Sequence, residues 1–261
     1  MLDLKDLLER AAGDPHDLPH IEPIWRRARF HMWRRRGMGA VAVLAAVAAS
    51  IGLFRLLPFD GSIGVPADRG HLSGKVLLQG QLESGTYVAD AFELPFSFST
   101  RSDAWSASVV EPTWVALIRR SHYLHVQRWD AVFDPAGDGT EVLPLPEDIT
   151  GWLVGHPRLR AASPVPVQIG GIRGFAIEVS VQRPLSSSPG ECGGLKCVLL
   201  GRVAGSGEAV DIERGERARF VVLGPPGDQI VIHYRAPASR FAEVSVAAER
   251  LLSSFRFRPA T

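Results

Sequence analysis

Residues 37–54 run GMGAVAVLAAVAASIGLF without a single charge. As a helix rising about 1.5 Å per residue, this run covers about 27 Å, close to the hydrocarbon thickness of a bilayer. A buried core helix of similar length would carry a polar stripe, and none is present. The sequence therefore predicts a membrane span over residues 37–57. Arg55 is compatible with it because a long side chain near the end of a span can carry its charge out to the headgroups, and Pro58 marks the exit. A span divides the chain into two parts that fold in different surroundings.

The flanks give the orientation. Arg26, Arg27, Arg29, Arg34, Arg35 and Arg36 crowd the N-terminal side with no acid among them, whereas the other side offers Arg55 and then Asp60. Positive charge is retained inside, so residues 1–36 are expected in the cytoplasm and residues 75–261 outside. Cleavage as a signal peptide is the rival, since Ala46 and Ala48 could form a small-residue cleavage site. The preceding segment is long for such a leader and has a helix pattern of its own. An Arg-Arg pair before an apolar run also raises twin-arginine export, but Gly37, Met38 and Gly39 fit it poorly. The simplest role for the arginines is to set topology and touch anionic lipids, with Trp25 and Trp33 as interfacial anchors. Ala42 with Ala46, and Ala45 with Ala49, are small residues spaced for close helix approach.

Cys192 and Cys197 stand in ECGGLKC on the expected outer side, where two exported cysteines are best paired. Gly193 and Gly194 let the chain turn sharply enough to close a small disulfide loop. A metal site is the competing reading, but it needs further ligands and no His lies nearby in sequence. No metal and no cofactor is expected.

Residues 1–36 open with LDLKDLLERAA, which places Leu2, Leu4, Leu7 and Leu8 on one face and Asp3, Asp6 and Glu9 elsewhere. So short an amphipathic helix is marginal alone, and its apolar face points to a partner, protein or inner leaflet; a frayed tail is the plain alternative. Residues 58–74 read as a tether. From residue 75 the pattern becomes that of strands: KVLLQGQL, TYVADAF, TWVALIRR, YLHVQRWDAVF, GFAIEVSV, CVLLGRVA, ARFVVL and QIVIHY. Phe175, Ile177, Val179 and Val181 alternate with Glu178 and Ser180, as in a half-buried strand. Ile230, Ile232 and Tyr234 alternate with Val231, His233 and Arg235, which predicts a sheet with one wetter face.

Two helices interrupt the strands. The first is expected to start near Pro146, with Glu147 and Asp148 complementing the helix dipole, Ile149, Trp152 and Leu153 buried, and a stop before Pro157. The second is expected over residues 239–253 with Ser239 as N-cap and Phe241, Val244, Ala248, Leu251 and Leu252 at helical spacing. A short strand over residues 254–258 closes the domain. Many strands, few helices and no regular alternation predict an α+β class with a mostly antiparallel sheet flanked by helices.

The run Trp152-Leu153, then His156-Pro157, Val167 leading to Gly170-Gly171 and Gly174, and the closing Ser253-Ser254-Phe255-Arg256-Phe257 resemble the ectodomains of actinobacterial membrane-anchored proteins and lipoproteins in the PsbP-like group, which includes the LpqN-type lipoproteins. The resemblance covers under half of the chain, from about residue 146 onward. It implies an antiparallel sheet flanked by helices and a protein that binds other molecules without catalysing a reaction. The DLLERAAGDP helix with its arginine cluster is similar to the cytoplasmic segments of actinobacterial single-pass proteins, some of them linked with sigma-factor regulation. Zinc-type anti-sigma domains carry His and Cys ligands in that part, and this chain has no Cys before the span.

Catalytic patterns are sparse. His20-Ile21-Glu22 matches the first half of a deaminase zinc motif, but no P-C-x-x-C follows. His122 and His125, three apart in a strand, point to opposite faces. Gly205-Ser206-Gly207 reads as a turn, and Gly170-Gly171 with Gly174 as close strand packing, since the preceding PVPVQI leads into more strand and not into a helix. Asp130, Asp134 and Asp138 near Gly137 and Gly139 suit a calcium loop poorly, because Pro135 interrupts it and the terminal Glu is missing. Of Trp105, Trp114, Trp129 and Trp152, most are expected in the core, though one or more could line a groove. A net charge of +1 gives no reason to expect nucleic-acid binding. The resulting expectation is no enzyme but a membrane-anchored extracytoplasmic domain that binds an envelope protein or small molecule and touches membrane lipids. The alternative is a transmembrane regulator whose Leu2, Leu4, Leu7 and Leu8 face holds a sigma factor or similar partner.

Overall fold

The computed structural model describes residues 72–258 apart from 102–104, 121, 138, 140, 186–191 and 193–195. The apolar run, the arginine cluster and the N-terminal Leu face lie outside these residues. Among the described residues no helix is long and apolar enough to cross a membrane.

In chain order the strands are β1 (Lys75–Val76), β2 (Gly80–Gln81), β3 (Gly85–Ala89), β4 (Phe96–Thr100), β5 (Ser106–Glu111), β6 (Trp114–Arg119), β7 (His122–Gln127), β8 (Trp129–Phe133) and β9 (Val142–Pro144). Helix α1 (Ile149–Gly155) precedes β10 (Leu159–Ala161), β11 (Val165–Ile169), β12 (Ile172–Val181), β13 (Cys197–Val203), β14 (Ala209–Glu213), β15 (Glu216–Leu223) and β16 (Ile230–Pro237). Helix α2 (Phe241–Leu252) and β17 (Arg256–Phe257) follow. The class is α+β. A central sheet runs β10-β12-β15-β16-β7-β6-β5-β2, with β11 also paired to β12; two smaller sheets run β1-β3-β4-β17 and β14-β13-β8-β9. The strand pairs are antiparallel except β1 with β3.

Both faces of the central sheet are covered. On one face Val115, Leu117, Leu124, Val126, Ile230, Ile232 and Tyr234 pack with α2 and with the aromatic side of the β1-β3-β4-β17 sheet. Phe96 is the hub there: its ring lies 5.0 Å from Phe255, 5.4 Å from Phe257 and 5.6 Å from Phe92. On the other face Phe220, Val222, Ile177, Val179 and Val231 pack with α1 and with the β14-β13-β8-β9 sheet.

Local sequence accounts for the ends of the helices. Helix α1 starts at Ile149, later than Pro146, because Asp148 caps it: its carboxylate accepts the Gly151 N–H at 3.0 Å. Helix α2 buries the five apolar residues that its spacing predicts. Its N-cap, however, is Arg240 and not Ser239, and it makes no side-chain cap hydrogen bond. The Gly170-Gly171 pair forms the two-residue turn between β11 and β12, with φ of 60° and 93°. Both values lie in the left-handed region that a type I′ hairpin requires. A Cβ on Gly170 would sit 2.6 Å from the Phe257 ring, and one on Gly174 would collide with the Val222 carbonyl oxygen. Close packing is thus the reason for both glycines.

Candidate functional site

The face of β16 that carries Val231, His233 and Arg235 is not wet. Val231 is 0% exposed and His233 4%, because the β14-β13-β8-β9 sheet lies over them. The polar groups on this face are therefore matched inside the protein. Strand pairing sets His233 beside His125 on β7 and beside Phe220 on β15. The two imidazoles stack with centroids 4.6 Å apart, and Phe220 stacks on His233 at 5.2 Å. Tyr123 and Trp114 extend the row on the His125 side, at 5.6 Å and 6.0 Å.

Gln127 organises the hydrogen bonds below this row. Trp129 Nε1 donates to Gln127 Oε1 at 3.3 Å, and His233 Nε2 lies 3.0 Å from the same oxygen. Indole nitrogen is only ever a donor, so that oxygen is an acceptor and His233 Nε2 must carry the proton. By the same logic Trp114 Nε1, 3.1 Å from His125 Nδ1, makes that nitrogen an acceptor. Burial holds the His233 pKa well below its ordinary value, and His125 and Arg235 push the same way. The ring stays neutral.

One residue pair further along β16, Arg235 is clamped. Its Nη1 donates to the Asp211 carbonyl at 2.7 Å, to the Asp211 carboxylate at 2.9 Å and to Glu216 Oε2 at 3.3 Å. Glu216 also accepts the Glu213 N–H at 3.1 Å. Burial works against the Arg235 charge, but Asp211 and Glu216 outweigh it and raise its pKa. Burial likewise raises the Glu216 pKa, with Arg235 pulling back. This network ties β14 to the central sheet.

The histidines of β7 point to opposite faces, as their spacing predicts. His122 faces α2, where it lines a cavity of about 10 Å³ with Arg119, Tyr234, Glu243 and Trp105. That is room for about one water. His122 Nε2 is buried there without a hydrogen-bond partner among the described residues, and burial together with Arg240 lowers its pKa. Trp105 and Trp129 are core residues, and Trp114 and Trp152 are partly buried.

Cys192 and Cys197 form a disulfide, with Cα atoms 5.9 Å apart. They pack with Phe133, Leu185 and Leu199 in a satellite cluster beside the β13 strand. Asp130 and Asp134, read as possible calcium ligands, have other uses: Asp130 pairs with Arg202 at 2.8 Å, and Asp134 accepts the Ala136 N–H at 2.9 Å. The loop carbonyls of Pro135 and Gly137 accept from the Arg158 guanidinium at 3.0 Å and 2.8 Å, so a protein cation already occupies them. Among the described residues no group of three or more His, Cys, Asp or Glu is placed to hold a metal ion.

The outward side of the β1-β3-β4-β17 sheet has a different character. Its register aligns Val76, Val88, Ser97 and Arg256 in one row, of which Val76 and Arg256 at the ends are exposed while Val88 and Ser97 between them are buried, and Arg256 bridges onward to Gly170. Val76 is 54% and Leu78 70% exposed. Arg256 and Arg258 are exposed at the opposite edge. The sequence shows these residues, but nothing in it places β1 and β17 at the two edges of one sheet.

Fold and side chains together define a disulfide-stapled α+β domain with a locked polar interior. Comparison with models of known families and with curated proteins finds no match to this chain.

Proposed function

We propose that the chain is a membrane-anchored extracytoplasmic interaction domain, held by a single span over residues 37–57 with its N-terminus in the cytoplasm. The observation that carries this reading is the division of labour in the folded domain. Interior ionisable groups such as His233, Arg235 and Glu216 are engaged with one another or with Gln127. Val76, Leu78, Arg256 and Arg258 are exposed, and among the described residues neither arginine pairs with a carboxylate. Such a domain works through its surface. The Cys192–Cys197 pair supports an oxidising compartment. The antiparallel sheets, the Gly170-Gly171 turn and the closing α2-β17 unit are compatible with the PsbP-like resemblance and its binding role. Partners of this reading are membrane lipids and an envelope protein or small molecule, with no cofactor and no nucleic acid.

The second reading, a transmembrane regulator, draws on the Leu2, Leu4, Leu7 and Leu8 face ahead of the arginine cluster. The two are separated by crosslinked affinity purification from native membranes, comparing the intact chain with one lacking residues 1–25. The proposed function expects the same envelope components from both. Loss of a sigma factor or another cytoplasmic regulator with the deletion transfers the function to the inner helix.

A further inference from the structure

We infer that the corner built by His156 and Arg158 is an acid-sensitive joint: when His156 takes up a proton the corner opens, freeing Pro135, Gly137, Gln182 and Arg183 while the central sheet stays folded. The inference stands on the folded domain and holds with or without a membrane span.

Three segments meet at this corner. His156 caps the C-terminal end of α1, and its carbonyl accepts the Leu159 N–H at 3.1 Å where the chain turns into β10. The Arg158 guanidinium donates to the Pro135 and Gly137 carbonyls beyond β8, at 3.0 Å and 2.8 Å. The Arg158 carbonyl accepts the N–H groups of Gln182 and Arg183 past the end of β12, at 2.8 Å and 3.1 Å. Arg158 is thus the pin, and its own N–H donates to His156 Nδ1 at 3.3 Å.

That last bond sets the proton on the imidazole. Nδ1 is an acceptor, so the neutral ring carries its hydrogen on Nε2, and a second proton has only Nδ1 to go to. There it turns an acceptor into a donor facing another donor. His156 is 3% exposed, and its Nε2 is already buried without a hydrogen-bond partner among the described residues. The Trp152 ring packs against the imidazole at 4.9 Å. An imidazolium held here would have two N–H groups unmet and a guanidinium beside it. Among the described charges only Arg158 acts on His156, and it repels the proton; Glu147 and Asp148 before α1, Asp134 and Glu141 around the β8–β9 turn, Arg160 on β10, Glu178 on β12 and Arg183 do not offset it. Asp138 lies outside the described residues. Turning the ring out to water removes both faults. Because ring and guanidinium sit two residues apart on one turn, the movement that releases one carries the other.

The opening is bounded on both sides. Leu153, in α1, is 0% exposed beneath the central sheet, and Leu185, beyond Arg183, is tied by its N–H to the Cys197 carbonyl at 3.0 Å. The closed corner holds the His156 pKa at about 4 against an ordinary 6.5, so closure is favoured at neutral pH and lost as pH falls between those values. Between pH 7 and pH 4.5 the open-to-closed ratio rises by up to about 60-fold.

The test is hydrogen exchange of the full-length chain in detergent micelles, corrected for the intrinsic rate at each pH and repeated in low urea. Protection at the amides of Arg158, Leu159, Gln182 and Arg183 falls by up to about 60-fold from pH 7 to pH 4.5, with little urea dependence, the mark of an opening that exposes little surface. Phe220 and Ile232 in the central sheet stay better protected and respond steeply to urea. His156→Gln removes the pH response at the corner. Corner protection that ignores pH, that falls equally in His156→Gln, or that matches the central sheet in level and urea dependence overturns the inference. Where that variant does not fold, the ring nitrogen chemical shifts of His156 in the parent decide. Proton uptake in step with lost protection supports the joint, and uptake at about pH 6.5 with the corner amides unmoved overturns it.

Discussion

Replacing Gln127 by Leu is the sharpest probe of the interior network. The substitution keeps side-chain size but deletes the oxygen that accepts from both Trp129 Nε1 and His233 Nε2. Gln127 is 2% exposed, so water cannot take its place. A buried donor without a partner costs about 1–3 kcal/mol, and the 3.3 Å bond to Trp129 belongs at the low end. The expected loss is about 2–4 kcal/mol, which a domain of ordinary stability survives folded. With a urea m-value of about 2 kcal/mol/M, the midpoint falls by about 1–2 M. The assay is urea unfolding of the full-length chain in detergent micelles, followed by tryptophan fluorescence. In a His233→Phe background one of the two donors is already gone, so the same substitution should cost about 1–3 kcal/mol less. A loss below about 0.5 kcal/mol, or an identical loss in both backgrounds, would refute the shared-acceptor argument.

Acidification should destabilise the domain through His156. Burial, aided by Arg158, lowers its pKa to about 4 from an ordinary 6.5. The unfolded chain then binds more protons between those two values, so stability rises with pH across that window and is lost as pH falls through it, by up to about 3 kcal/mol. Urea midpoints at pH 7 and pH 4.5 should differ less in His156→Gln than in the parent. Opening the Cys192–Cys197 loop with Cys192→Ser and Cys197→Ser should cost about 2 kcal/mol by chain entropy, and added reductant should then leave the variant's melting temperature unchanged. Phe96→Ala empties the centre of the Phe92, Phe255 and Phe257 cluster and should cost about 3–5 kcal/mol in the same titration. A Cβ on Gly201 would sit only 2.3 Å from the Trp129 indole, so Gly201→Ala should shift Trp129 and perturb its fluorescence before any loss of fold.

Much of the architecture was legible wherever burial is one-sided. Five apolar residues at helical spacing marked α2, whereas the start of α1 was expected near Pro146 with Asp148 inside the first turn, and Asp148 is in fact its cap. The disulfide followed from two cysteines and two glycines. Strands rich in small polar residues escaped: FSFST in β4 alternates but over only two apolar residues, and SASVVE in β5 alternates weakly, yet β4 supplies Phe96 and Phe98 to the aromatic core. The role of β4 depends on β17, which joins it from 156 or more residues further along the chain.

The error on β16 teaches more. Alternation of Ile and Tyr with His and Arg has two physical solutions: water on the polar side, or polar partners brought by another layer. The chain takes the second. Gln127 stands 106 residues from His233, and Asp211 stands 24 from Arg235, so the partners are set by strand register and by the β14-β13-β8-β9 sheet and not by neighbours in sequence. A buried histidine and a clamped arginine cost free energy unless every donor is met. That demand makes the layer specific: shifting β14 by one residue would turn Asp211 away from Arg235 and bring Val210 or Ile212 to it. The polar side of β16 thus fixes how the second sheet sits.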